Sequence, residues 1–293
     1  MQLTPTTKKG HAIGEPIVSV IITFYNQERF IRDTVLSATR QTYPRVEIII
    51  VDDGSTKPVT PLLADMPGVT ILRTPNSGCP AARNFGFRHS TGDYLVFLDG
   101  DDQLLPDAVA SQLRMLQCHP DAVLAFGAAQ YINGCGEKIN SPPFCRAKND
   151  YFLMLLESNP IACPGAAMIT RESFVKAGLF DESFFVVEDY DLYLRLLRKA
   201  SAIRHPEYVV LYRRHTDNLS KDMPRMLRSV HQALDKIEAS GNLTTSQRRR
   251  LKHGRKRWTY MYSPKNSLGY RIKGLYFRFR AMSILAVWSH LRS

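Results

Sequence analysis

Five short stretches of this chain gather the residue types that do polar chemistry. In LVFLDGDD, residues 95–102, an apolar run ends with Asp99, Asp101 and Asp102 inside four positions. Carboxylates held that close raise one another's pKa unless a cation lies between them or water screens them. The stretch therefore suits a divalent-metal site, and it equally suits a solvated Gly/Asp turn. In TFYNQE, Thr23, Tyr25, Asn26 and Glu28 combine an aromatic face with hydrogen-bonding groups, and in VDDGS, Asp52 and Asp53 precede Gly54. One of these two aspartates can accept a hydrogen bond from a planar base that displays an N–H, with Tyr25 stacked beside it. Uracil, which carries a proton on N3, fits that arrangement better than cytosine. Asn26 and Glu28 also suit a helix start. Arg83, in NSGCPAARN, offers a planar fork for phosphate oxygens or for a surface ion pair. In FFVVEDYDLYLRL, Glu188, Asp189 and Asp191 open a helical pattern bearing Leu192, Leu194, Leu196 and Leu197. Acids in a first helical turn complement the helix dipole, which accounts for Asp191.

The elements that must position these residues alternate. PIVSVIITF (16–24), VEIIIVDDGS (46–55), GVTILRT (68–74) and DYLVFLD (93–99) read as strands, and residues 28–41, 79–90 and 106–117 read as helices. Pro80 and Pro106 stand near helix starts, where a missing N–H costs little. Near-continuous apolar strands separated by helices predict an α/β fold with a mostly parallel sheet covered on both faces. Such sheets bind ligands outside the carboxyl ends of their strands. The clusters TFYNQE, VDDGS and LDGDD all follow strand ends, so they are expected to meet in one crevice.

Taken in order, VSVIITFYNQE, VDDGST, NSGCPAARNFG, LDGDD, EDYDLYLRL and YRRHTDNLS resemble the family 2 inverting glycosyltransferases, which have the GT-A (Rossmann-like) nucleotide-sugar-binding fold. The resemblance covers residues 16–220. It implies that Asp53 contacts the base with Thr23 and Tyr25 beside it, and that Glu28 and Arg83 line the nucleotide-sugar site. It further implies that Asp99 approaches the ribose and that Asp101 binds a divalent cation, with Asp102 as its neighbour and His215 as a further ligand. Oxygen ligands favour Mn or Mg, and a histidine tilts the choice toward Mn. Asp189 becomes the general base for an acceptor hydroxyl, with Glu188 and Asp191 in support. The implied donor is a nucleoside-diphosphate sugar, expected to be a UDP-sugar, and the acceptor is a saccharide or a lipid-linked hydroxyl in cell-surface polysaccharide or glycolipid synthesis. Processive relatives add Q-x-x-R-W and membrane spans; Trp258 follows Arg257 with no Gln at the required distance, so non-processive transfer is expected.

The net charge of +12 is unevenly placed. Residues 1–224 carry 23 Lys and Arg against 25 Asp and Glu, whereas residues 225–293 carry 16 against 2. The expected organisation is an N-terminal extension (1–15), a catalytic domain (16–220, with its nucleotide-sugar part at 16–105 and its acceptor part at 106–220) and an α-helical, basic, amphipathic tail (221–293). Tail residues alternate cations with large apolar side chains, which suits an anionic membrane surface; packing on the catalytic domain and nucleic-acid binding are the alternatives. No nucleic acid is expected, because the body is near neutral with an acidic crevice. A nucleotidyltransferase on a similar fold is the other enzyme class, but its Gly-rich, Arg-containing loop after the first strand is missing. The five scattered cysteines form no zinc spacing and read as reduced thiols. No run reaches the roughly 20 apolar residues of a membrane span. The expected location is therefore cytoplasmic, peripheral on the inner face of the membrane.

Overall fold

β-Branched runs become the buried strands of the first half. The computed structural model describes residues 14–142, 150–216 and 218–262. Strands β1 (Val18–Phe24), β2 (Val46–Asp52), β3 (Val69–Arg73) and β4 (Tyr94–Asp99) alternate with helices α1 (Ile31–Thr39) and α2 (Cys79–Arg88). All seven β1 residues are buried, as a strand covered on both faces requires. Helix α1 starts three residues later than expected. Asn26 adopts a left-handed φ of 52° and is tied to the loop after β2, its N–H donating to Ser55 Oγ at 3.0 Å and its Oδ1 accepting from Thr56 at 2.8 Å. That tie holds residues 25–30 as a turn beside β2.

The second half is built differently. After the short β5 (Gln103–Leu104) and helix α3 (Ala108–Cys118) come β6 (Ala122–Asn133), α4 (Tyr151–Leu155), β7 (Ala167–Thr170), α5 (Arg171–Lys176), α6 (Glu188–Leu197) and β8 (Ser201–Arg214). The eight strands form one sheet in the order β3-β2-β1-β4-β7-β6-β8-β5. Pairings β1/β2, β1/β4, β2/β3 and β6/β8 are parallel, while β7 runs antiparallel to both β4 and β6. The sheet is thus mixed at its centre, and its parallel edge is the part that carries the strand-end clusters.

Helices α7 (Met223–Ala239) and α8 (Thr245–Tyr262) follow. Asp222 caps α7 by accepting the Arg225 N–H at 3.0 Å, and Pro224 sits in the first turn. Val230, Ala233, Leu234, Ile237, Leu251 and Trp258 join the same apolar core as β1 and β4. These parts of the basic tail therefore pack on the catalytic domain. The remainder of the tail, from residue 263, lies outside the described residues, as do Cys145 and residues 1–13. No helix among the described residues is long and apolar enough to cross a membrane.

Gly254 makes the docking of α8 possible, since a Cβ there would fall well inside contact distance of the Leu156 carbonyl oxygen. Gly254→Val is expected to destabilise the protein by about 1–3 kcal/mol through overpacking. Urea denaturation checks this, and an unchanged midpoint would mean that α8 does not sit against α4.

Candidate active site

Adjacent β1, β2 and β4 end level with one another: Thr23 pairs with Asp99 across β4, and Phe24 with Asp52 across β2. The three polar clusters consequently share one sheet edge. Asp52 is consumed structurally, since its carboxylate accepts the Ser55 N–H at 2.8 Å, the Val59 N–H at 3.2 Å and Arg73 Nη1 at 3.0 Å. Asp53 accepts the N–H groups of Ser77 and Gly78 at 2.9 and 3.0 Å, fixing the loop that leads into α2. Burial raises the Asp53 pKa against those two bonds. Thr23 is buried with Oγ1 3.6 Å from Cys79 Sγ, turned inward. Tyr25 is 49% exposed, leaving its ring open to a stacking partner, and Glu28 is half-buried in the following turn.

The acidic turn after β4 is held from beneath. Thr34 Oγ1 donates to the Gly100 carbonyl at 3.0 Å. Arg213, at the end of β8, donates its backbone N–H to Asp102 Oδ1 and its Nε to the Asp101 carbonyl, both at 2.8 Å. Asp101 Oδ2 lies 2.7 Å from His215 Nε2, and the His215 ring packs 5.0 Å from Phe30. Burial, followed by the Asp99 charge, raises the Asp101 pKa, with His215 opposing. Asp102 is fully buried beside the Cys163 thiol, and burial pushes its pKa well up. Among the described residues no group of three or more His, Cys, Asp or Glu side chains is assembled as a complete metal cage. Asp101 and His215 nevertheless form a touching oxygen and nitrogen pair, flanked by Asp99, of the kind that holds Mn or Mg when further oxygens come from a bound phosphate.

The second acidic cluster is joined to the first through Arg83. This fully buried arginine places Nη2 2.6 Å from Asp99 Oδ1 and pairs through Nη1 with Glu188. Its terminal nitrogens therefore link the carboxylate at the end of β4 to one in the first turn of α6. Next to it, Asn84 Nδ2 donates to the Phe180 carbonyl and Glu182 Oε1, each at 2.9 Å, and Asn84 Oδ1 accepts the Phe180 N–H at 3.1 Å. Helix α2 is thereby fastened to the segment that leads into α6. Val187, just before α6, has a φ of 60°, a strained conformation for a β-branched residue. Asp189 follows, half-buried, with Oδ1 accepting the Tyr190 N–H at 2.8 Å. Burial pushes its pKa up to about 7; the Glu188 charge adds to this and Arg83 opposes it. Asp191 points away from the crevice, bonded to Arg195 Nε at 2.8 Å and to Lys236 Nζ of α7.

The structure thus brings together Asp53, Asp99, Asp101, Asp102, His215, Arg83, Glu188 and Asp189, with Tyr25 and Glu28 at the rim. Asp191 stands apart as a tie between α6 and α7. Arg213 is a residue that sequence reasoning passed over. In YRRH nothing distinguishes it from Arg214, yet strand alternation buries the first and exposes the second.

The glycosyl transferase family 2 model matches residues 19–178. An uncharacterized glycosyltransferase of Rickettsia typhi is 31% identical over 210 residues, which cover 68% of this chain and 64% of that relative. One from Haemophilus influenzae is 33% identical over 190 residues, covering 63% of this chain and 73% of the relative. The chain therefore spans less than two thirds of the Rickettsia typhi protein's length. Among solved structures, S. aureus TarS 1–349 in complex with UDP-GlcNAc superposes with a TM-score of 0.65 at 15% identity, covering 85% of this chain and 74% of that one. The mannosyltransferase PcManGT from Pyrobaculum calidifontis, in complex with GDP-Man and Mn2+, gives 0.64 at 19% identity, covering 97% of this chain and 84% of that one. These two likenesses bear on the fold, which is that of the GT-A glycosyltransferases.

Proposed function

The chain belongs to glycosyl transferase family 2, and from that premise we propose that it is an inverting, non-processive enzyme that moves a sugar from a UDP-sugar to an acceptor hydroxyl. The acceptor is a saccharide or a lipid-linked sugar of the cell surface, met at the inner face of the membrane. One observation carries the reading: Arg83 touches both Asp99 and Glu188, so the cluster suited to a nucleotide diphosphate and the cluster suited to a base face the same site.

In this reading the Tyr25 ring stacks on the base while Asp53 receives its N–H. Asp99 takes a ribose hydroxyl. Asp101 and His215 would hold a divalent cation, which would supply positive charge against the diphosphate. Asp189 accepts the proton of the acceptor hydroxyl as that oxygen forms its bond to the anomeric carbon, and the bond from that carbon to the diphosphate oxygen breaks. A single displacement from the opposite face inverts the configuration. A base with a pKa near 7 is matched to this task at neutral pH.

Thermal unfolding with UDP-GlcNAc and GDP-Man, each with and without Mn, tests the reading, because a ligand that binds only the folded state raises Tm. The UDP-sugar with Mn is expected to give the larger shift. His215→Ala is expected to weaken Mn-dependent donor binding by at least about tenfold. Absence of a shift with any nucleotide sugar would remove the donor assignment, and an equal or larger shift with GDP-Man would reassign the base.

A further inference from the structure

A cavity separate from the acidic crevice has a lining that contains no residue of that crevice. It holds about 700 Å³ and lies between β6, α4, the 157–162 segment and α8. Its floor is the small side of β6 at Gly127, Ala128 and Ala129, and its walls carry Met154, Trp258 and Met261. A volume of that order suits a ligand of a few tens of heavy atoms.

Two steps place it against the candidate active site. Ala162 in its wall precedes Cys163, whose thiol lies beside Asp102. Trp258 packs 5.6 Å from the ring of Tyr190, the residue after Asp189. The cavity thus adjoins the site on the side of the base, where an acceptor has to approach.

Its lining carries two acids, Asp150 and Glu157, and two arginines, Arg250 and Arg257, but their partners differ. Glu157 in the wall is engaged by Arg250 at 3.0 Å and His253 at 3.2 Å, and Asp150 is spent capping α4 through the Leu153 N–H at 2.9 Å. Helix α8 carries seven Lys and Arg and no acid. Of these, Arg250 and Arg255 have carboxylate partners. Arg248, Arg249, Lys252, Lys256 and the cavity-lining Arg257 have none among the described residues. An apolar chamber whose wall holds one arginine without a carboxylate partner among the described residues, Arg257, is complementary to an anionic amphiphile.

We propose that this cavity binds the phosphate-bearing lipid part of the acceptor, with the lipid against Met154, Trp258 and Met261 and the phosphate at Arg257. This rests on the glycosyltransferase reading and narrows its acceptor to a sugar hydroxyl carried on a phosphate-bearing lipid. Helix α8 then serves as a wall of the acceptor site.

Isothermal titration of the full chain with farnesyl phosphate, farnesol and inorganic phosphate tests the assignment, with UDP-GlcNAc plus Mn titrated in parallel. Farnesyl phosphate is expected to bind more tightly than either fragment. Arg257→Gln, an exposed change that leaves the core intact, should weaken it about tenfold or more while leaving farnesol unaffected. Met154→Trp, which fills the chamber, should reduce both lipids and spare the nucleotide sugar. Equal affinity for farnesol and farnesyl phosphate, or an Arg257→Gln variant with unchanged farnesyl phosphate affinity, overturns the proposal. Donor binding without any lipid binding overturns this assignment alone, whereas lipid binding without donor binding counts against the donor reading instead.

Discussion

Asp189→Asn is expected to lower the transfer rate by about 10²- to 10⁴-fold while leaving the affinity for the nucleotide sugar unchanged. The size follows from removing a base that takes the acceptor proton, and the unchanged affinity follows from the position of Asp189 on the α6 side, apart from the strand-end cluster at Asp53, Asp99 and Asp101. The pH dependence supplies an independent check. With a pKa of about 7, Asp189 is protonated in acid and idle as a base, so wild-type kcat/KM should climb about tenfold per pH unit below 7 and level off above it.

Stability should move in the opposite direction to activity. The folded pKa of Asp189 lies above the ordinary carboxylate value of 3.8, so the native state holds its proton more tightly than the unfolded chain does. Stability is then lost as pH rises from about 4 to about 7, and at neutral pH the ionised, half-buried carboxylate is a net cost. Asparagine removes that charge. After allowance for solvent screening, a gain of about 1–2 kcal/mol is expected, or roughly 2–3 °C in Tm for a chain of this length. A purely structural Asp189 would behave otherwise, losing stability and activity together, and calorimetry beside a transfer assay separates the two cases.

The sequence made the parallel half of the fold readable because its strands are unbroken β-branched runs, such as IVSVII and EIII, that end at Gly and Asp. Their convergence followed from the rule that parallel strands present their carboxyl ends to a ligand. The other half lacked that signal. Strand β6 is AVLAFGAAQYIN, rich in small residues without alternation, because Gly127 must let the Val209 side chain of β8 approach closely. The antiparallel β7 is four residues long and is set by its neighbours rather than by its own pattern. Within the site, acids were visible as crowded letters, but their supports were not. Burial of Arg213, the strain at Val187 and the left-handed Asn26 are tertiary facts, and no local spacing encodes them. Helix α8 is the clearest case: its charge suited a membrane surface, with packing on the catalytic domain as an alternative, and three inward positions, Leu251, Gly254 and Trp258, are what pack it there.

Arg83 is where sequence and structure point to different uses, and its substitution has the second large expected effect. Read alone, its planar fork suits phosphate oxygens; in the fold both terminal nitrogens are occupied by Asp99 and Glu188, and its guanidinium lies 5.3 Å from the Phe180 ring. Arg83→Met leaves two carboxylates facing each other around an apolar filling, and breaking a buried pair from one side costs about 3–5 kcal/mol. That variant is expected to be poorly folded. Arg83→Lys is the more informative change, since one ammonium keeps the charge but cannot bridge both acids with a fork. Arg83 holds the Asp189 pKa down, so a lysine that sits closer to Asp99 than to Glu188 should move the rising limb of kcat/KM toward higher pH. A phosphate-binding Arg83 predicts something else: the lysine variant would raise the KM for the nucleotide sugar and leave the pH profile in place. Measuring kcat/KM against pH for wild type and Arg83→Lys, with donor affinity determined in parallel, therefore decides whether this arginine grips the substrate or links the donor cluster to the base.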